Sequence, residues 1–328
     1  MNPELRNSVN RAFRVSVIGS AIALQLLFNI PLIYGVLITG ADVLLILVLQ
    51  RWGFRYVEAL VIVLIGTIVA LFGVQLFLSK PEYWPALKHL LAPSPQIFTN
   101  PDMMFIAIGI LGATVMPHNL YLHSSIVQSR SYERTPEGKR EAIQMANIDS
   151  AGALTLALFV NAAILVVAAA VFHRSGHYEV EAIQDAYKLL SPLVGAAGAS
   201  TLFAVALLAS GQNSSITGTL AGQVVMEGFI HLHVTAWLRR LITRSLAIIP
   251  TIIVVLVAGE RGTEKLLLIS QVILSLQLSF AVVPLVMFTG DRKKMGEFAN
   301  GRKWQALAWF VAVLIAGLNG WFLVLLLR

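Results

Sequence analysis

The sequence predicts an all-α, polytopic membrane protein, and three observations carry that prediction. First, 57% of the 328 residues are hydrophobic and only 12% are charged, whereas a soluble domain is about 45–50% apolar and about 25% charged. So little charge cannot cover a water-soluble globule of this size, which excludes a soluble enzyme. Second, the charges cluster, and between the clusters run apolar stretches of about 20 residues, the length of helix that crosses a hydrocarbon core about 30 Å thick. A transmembrane barrel would instead show ~10-residue alternating segments. Third, the odd-numbered connections between these stretches together carry about twice the Lys and Arg of the even-numbered ones.

Eight full spans are expected, over residues 31–50, 57–78, 103–128, 148–172, 192–210, 241–257, 266–288 and 304–327. A shorter apolar stretch, 15–28, precedes them and reads as the end of a helix. The connections after the first, third, fifth and seventh spans, with Arg244 just inside the sixth span, hold fourteen Lys and Arg, among them Arg130, Arg134, Lys139, Arg140, Arg292 and Lys303. The intervening three hold six. The positive-inside rule makes the rich connections cytoplasmic and the C-terminus extracytoplasmic. The net charge of +7 is therefore assigned to cytoplasmic loops and not to nucleic-acid binding. Residues 1–15 are polar, without the apolar core or small-residue cleavage site of a leader. With no cysteine, disulfides, thiolate catalysis and cysteine-based metal sites are excluded.

The third span is the informative one. Halfway along it runs Gly112-Ala113-Thr114-Val115-Met116-Pro117-His118-Asn119. Pro117 removes an amide donor and crowds the carbonyl four residues back, that of Ala113. Gly112 lowers the cost of leaving helical geometry. An unwound segment at mid-membrane is tolerated where protein or a polar cavity surrounds it, and secondary transporters build ion sites from such breaks. A plain proline kink is the alternative, and on the break alone the two stay open. His118, Asn119 and His123 add polar or ionisable groups inside a span, where such residues usually face a pathway. Met116 offers a thioether, a ligand that favours transition metals. His118 and His123 lie about 140° apart on a helix and share no face. With no HExxH motif present, an intramembrane metalloprotease is disfavoured. Asp42, inside the first full span, reads either as a titrating group or as a paired structural acid.

GATVMPHNLYLHSSIVQSR, residues 112–130, resembles the sixth transmembrane helix of the Nramp family of proton-coupled manganese and iron transporters. The resemblance extends to Gly211-Gln212-Asn213-Ser214-Ser215 and the residues to Phe229 (end of helix eight), to Ile269-Ser270-Gln271-Val272 (helix ten) and to residues 17–23 (end of helix three). It covers residues 16–328 as one membrane domain, with 1–15 as a basic segment of no family likeness. It implies a LeuT-like fold of inverted repeats in which the first repeat is incomplete. The family's helix-one motif, Asp-Pro-Gly-Asn, does not occur in these 328 residues.

Carried over, the resemblance implies metal ligands at the Ala113 carbonyl, the Met116 sulfur, Gln271 and Asn161. It implies proton or gating roles for His118, and for His123 and Asp42 as further candidates, and polar networks around Arg130 and Arg244. The function it implies is proton-coupled transport of Mn²⁺ or Fe²⁺ by alternating access in the plasma membrane (the inner membrane in a bacterium). No catalytic residue, no resident cofactor, no nucleic acid and no obligate protein partner are expected; metal ions and the bilayer are the partners. Against this stand a transport-inactive truncated form and, more remotely, an amino-acid symporter of the same fold.

Overall fold

The structure, a computed structural model, describes residues 17–91, 94–128, 130–177, 180, 182–230 and 236–327. Within the helices, the side chains of Asp42, His118 and Arg244 lie outside the described set. In chain order the elements are α1 (Val17–Phe28), α2 (Leu32–Trp52), α3 (Phe54–Ser79), α4 (Tyr83–Leu91), a 3₁₀ turn (Pro95–Phe98), α5 (Pro101–Thr114), α6 (Pro117–Gln128), α7 (Pro136–Ala168) with a π turn (Ala169–His173), α8 (Ile183–Val194), α9 (Ala199–Ile230), α10 (Ala236–Gly290), α11 (Arg292–Met295) and α12 (Arg302–Leu326). No strand occurs among the described residues.

Local sequence sets the helix ends. Asn100 caps α5, its side-chain oxygen accepting from the Asp102 and Met103 amides at 2.9 and 3.3 Å, with Pro101 in the first helical position. Thr135 caps α7 in the same way through the Gly138 amide at 3.1 Å, ahead of Pro136. Each cap satisfies amides that have no partner inside the helix, and proline there loses nothing. The stretch 15–28 and the span after it are separate helices, as the apolar pattern predicts. α1 and the first part of α2 bend by 119° about Asn29, which sits at φ 55°, a conformation asparagine adopts more readily than most residues.

One expected span is corrected. The stretch 192–210 does not form a unit: α8 runs through Pro192 and stops at Gly195 (φ 70°), and Gly198 (φ 98°) completes the turn into α9. Both positions need the left-handed backbone that glycine supplies. α9 then continues through Gln212, Asn213, Ser214 and Ser215 to Ile230. Hydropathy ends a span where polar residues begin, but here they face other helices. Ser215 and Thr219 are fully buried, and Thr219 Oγ1 donates to the Ser215 carbonyl at 2.8 Å. The spans expected at 241–257 and 266–288 lie on either side of Gly259, where α10 departs from helical geometry.

The helices pack through several apolar clusters. Val17, Ile18, Ala21 and Ile22 of α1 meet Leu32 and Val36 of α2 and Val255 of α10. Val57, Leu122, Ile216 and Leu220 join α3, α6 and α9. Met104 and Ile108 of α5 pack with Val272 of α10 and Phe322 of α12. Large apolar side chains such as Phe77, Leu158 and Phe310 point outward, the surface a bilayer covers. Because lipid is as apolar as leucine, burial gives little drive between helices, and close packing and hydrogen bonds hold them together.

The clearest such hydrogen bonds are around Asn319 of α12, which is 4% exposed. Its Nδ2 donates to the Ser275 carbonyl of α10 at 3.0 Å and to Ser279 Oγ at 3.4 Å, and its Oδ1 accepts from Ser275 Oγ at 3.0 Å. Asn319→Leu leaves a buried carbonyl and hydroxyl without these partners. We expect a destabilisation of about 1–2 kcal/mol, read as a lower thermal unfolding midpoint of the purified protein in detergent.

Candidate metal centre

The break predicted at Pro117 is present. α5 ends at Thr114, and Val115 adopts φ −111°, ψ 85°, its amide donating to the Leu111 carbonyl at 2.9 Å. α6 starts at Pro117, and the Asn119 amide donates to the Met116 carbonyl at 3.1 Å. Two residues, Val115 and Met116, therefore leave the helix. Pro117 has no N–H, so the Ala113 carbonyl receives no donor from the position four residues on. Ala113 is exposed and Met116 half-buried within these residues.

What lies against the break is α10. A Cβ placed on Gly112 would come within 1.9 Å of the Gln271 carbonyl oxygen and 2.9 Å of the Ser275 amide. Only a residue without a side chain permits two backbones this close. The approach sets the Gln271 backbone beside Gly112, one residue ahead of Ala113. Gln271 is 8% exposed, and its Oε1 accepts no hydrogen bond. A buried amide oxygen without a donor is costly and calls for an explanation. The Asn319–Ser275 bonds hold the same turn of α10 from the other side.

The remaining predicted residues are placed as follows. Asn161 is exposed on α7. His123 of α6 meets Ser150 of α7 at 3.2 Å between Nε2 and Oγ. His118 lies in the first turn of α6, Asp42 in α2 and Arg244 in α10; their side chains are outside the described set. Arg130, just past α6, pairs through Nη2 with Glu58 Oε1 of α3 at 3.0 Å. This pair is largely exposed, a setting in which ion pairs contribute little stability; it joins two helix ends near one face.

Sequence reasoning did not find Asn319, Ser275 or the Gly112–Gln271 approach. Asn319 had a signal, as an amide deep inside an otherwise apolar span, where such residues bond across helices. Gly112 was read only as a weak point in its own helix, because a partner 159 residues away leaves no local trace. Among the described residues no three His, Asp or Glu side chains gather into a metal cluster. The donors expected from the sequence at Ala113, Met116 and Gln271 are a carbonyl, a thioether and an amide.

These features define a class first: a polytopic, all-helical membrane protein of LeuT-like fold organised around a discontinuous helix. The profile of the Nramp family, natural resistance-associated macrophage protein-like, matches residues 14–325, and the chain belongs to that family. It is 59% identical over 308 residues to a divalent metal cation transporter MntH of Nostoc sp., spanning 94% of this chain and 70% of that protein. It is 58% identical over 303 residues to the MntH of Listeria innocua, spanning 92% and 67%. A crystal structure of the Eremococcus coleocola manganese transporter, in complex with an aromatic bis-isothiourea substituted compound, superposes with a TM-score of 0.85 at 40% identity, over 96% of this chain and 69% of that one.

The close approach gives a direct test. In Gly112→Ala the added methyl meets backbone, which cannot rotate away, so α5 and α10 must separate. We expect a loss of about 1–3 kcal/mol, the usual range for overpacking, measured by thermal unfolding. The loss should exceed that of Gly152→Ala, where a Cβ meets nothing within 4 Å.

Proposed function

We propose that this protein moves divalent transition-metal ions, Mn²⁺ or Fe²⁺, across the plasma membrane, coupled to protons, by alternating access around the α5–α6 break. The observation that supports this reading is the α5–α6 break at Val115–Met116, packed at Gly112 against the Gln271 backbone of α10, whose buried amide oxygen accepts no hydrogen bond. The names of the similar proteins, divalent metal cation transporters and a manganese transporter, support it.

In this reading Ala113 O, Met116 S and Gln271 Oε1 contact the ion, and Asn161 on α7 supplies a further oxygen in part of the cycle. The thioether selects against calcium and magnesium, which prefer hard oxygen donors. His118 and His123 on α6, with Asp42 on α2, carry or tune the coupled proton. Arg130 and Arg244 belong to polar contacts on the cytoplasmic side, and the C-terminus of α12 is extracytoplasmic by the charge rule.

The donor set in these residues is neutral, and a divalent ion stripped of water is normally met by anionic or many oxygen ligands. Transport by this chain alone is therefore expected at low affinity. That neutrality is also what favours the second reading, in which the chain keeps the fold without the transport.

The test is Mn²⁺ uptake into proteoliposomes holding this chain, with and without an inward proton gradient. We expect saturable uptake that the gradient raises. Met116→Ala should raise the half-saturating Mn²⁺ concentration about tenfold, the effect of some 1.4 kcal/mol of lost binding, and should weaken discrimination against Ca²⁺. No uptake by inserted, folded protein establishes the inactive reading.

Gln271→Leu separates ligand from structural roles. Removing an unpaired buried amide should leave the unfolding midpoint unchanged or raise it, while Mn²⁺ uptake falls. A joint loss of stability and uptake would show that Gln271 serves the packing instead.

A further inference from the structure

The connection between α10 and α12 carries Arg292, Lys293, Lys294, Arg302 and Lys303 within twelve residues. All five are exposed. The two carboxylates in the same stretch are already engaged. Asp291 Oδ1 accepts the Lys293 amide at 2.8 Å, capping α11, and Glu297 Oε2 pairs with Arg140 of α7 at 2.8 Å. Among the described residues no carboxylate lies within ion-pair distance of Arg292, Lys293, Arg302 or Lys303. Lys294 holds its Nζ 3.8 Å from the centre of the Phe288 ring.

This stretch is a closed hairpin. The Asn300 amide donates to the Thr289 carbonyl at 2.9 Å, and Gln305 Nε2 donates to the Val286 carbonyl at 2.9 Å. The two helix ends and their cations are thereby held side by side, so little order has to be gained on binding an anion. The Arg140–Glu297 pair ties the start of α7 to the same patch, adding the exposed Lys139.

Beside the cations the surface turns apolar at once. Trp304 is 70% exposed and Phe310 65%, with Phe288 and Leu307 also outward. Cations followed by exposed tryptophan and aliphatic side chains match the boundary between headgroups and acyl chains. The hairpin is one of the basic-rich connections, which places it against the cytoplasmic leaflet.

We propose that the α10–α12 hairpin is a binding site for an anionic phospholipid, with Lys293, Arg302 and Lys303 on the phosphate and Trp304, Leu307 and Phe310 along the chains. A zwitterionic headgroup brings its own cation to this patch and is disfavoured. The inference is independent of the metal centre and stands whether or not the chain transports.

The test uses the delipidated full chain in detergent, titrated with phosphatidylglycerol, phosphatidylcholine or glycerol 3-phosphate. Thermal unfolding and native mass spectrometry of retained lipid are read together. Phosphatidylglycerol should raise the midpoint and be retained; the other two should do neither. Combined Lys293→Gln, Arg302→Gln and Lys303→Gln should weaken the phosphatidylglycerol response by about tenfold or more. Lys293→Arg with Lys303→Arg should keep it, and so should Lys80→Gln with Lys88→Gln on the basic-poor side. Equal stabilisation by phosphatidylcholine, or an undiminished response in the glutamine variant, overturns the proposal. A full response to glycerol 3-phosphate overturns it in favour of a soluble-phosphate site.

Discussion

A backbone carbonyl inside a membrane has no water to turn to, and that constraint organises this protein. Pro117 takes a donor out of the helical ladder at the α5–α6 break, as Pro192 does within α8 and Pro250 and Pro284 do within α10. The Ala113 carbonyl is released at a point where Gly112 brings α10 against α5, with the Gln271 carbonyl at a distance no Cβ would tolerate. Break and close approach are consecutive in sequence. The Gly112 side of the break is therefore covered by α10, while Ala113 and Thr114 stay exposed.

The packing around this point is polar where it must be specific. Asn319 fixes the Ser275 turn of α10 from α12 while Gly112 presses on the same turn from α5. Helices that share an apolar solvent with their surroundings gain little by touching, so hydrogen bonds and small residues choose the neighbours. The apolar clusters fill the space between the helices, and the amide and the glycine set the register of the break against Gln271.

Much of this was legible beforehand because it is local. Span length, the proline break and the loop charges each follow from residues close in sequence, and the structure reproduces the break at Val115–Met116. The span at 192–210 was misread because hydropathy cannot tell a polar residue facing lipid from one facing a helix. Ser215 and Thr219 are buried in α9, which therefore continues twenty residues past the expected end. The turn at Gly195 and Gly198 was likewise hidden, since small residues in an apolar run read as helix packing until their φ angles are known.

The sequence by itself determined the class of protein, the alternation of its connections, the position of the broken helix and the residues that resemble a metal site. Each is written in composition, period or a motif of a few residues. Only the tertiary structure decided that Gly112 serves as a contact, that Gln271 reaches the break with an unpaired oxygen, and that Asn319 clamps the helix carrying it. Those facts join residues 44 to 159 positions apart, and helix–helix contact in lipid is selected by close fit and hydrogen-bond pairing, which leave no period in the chain to read.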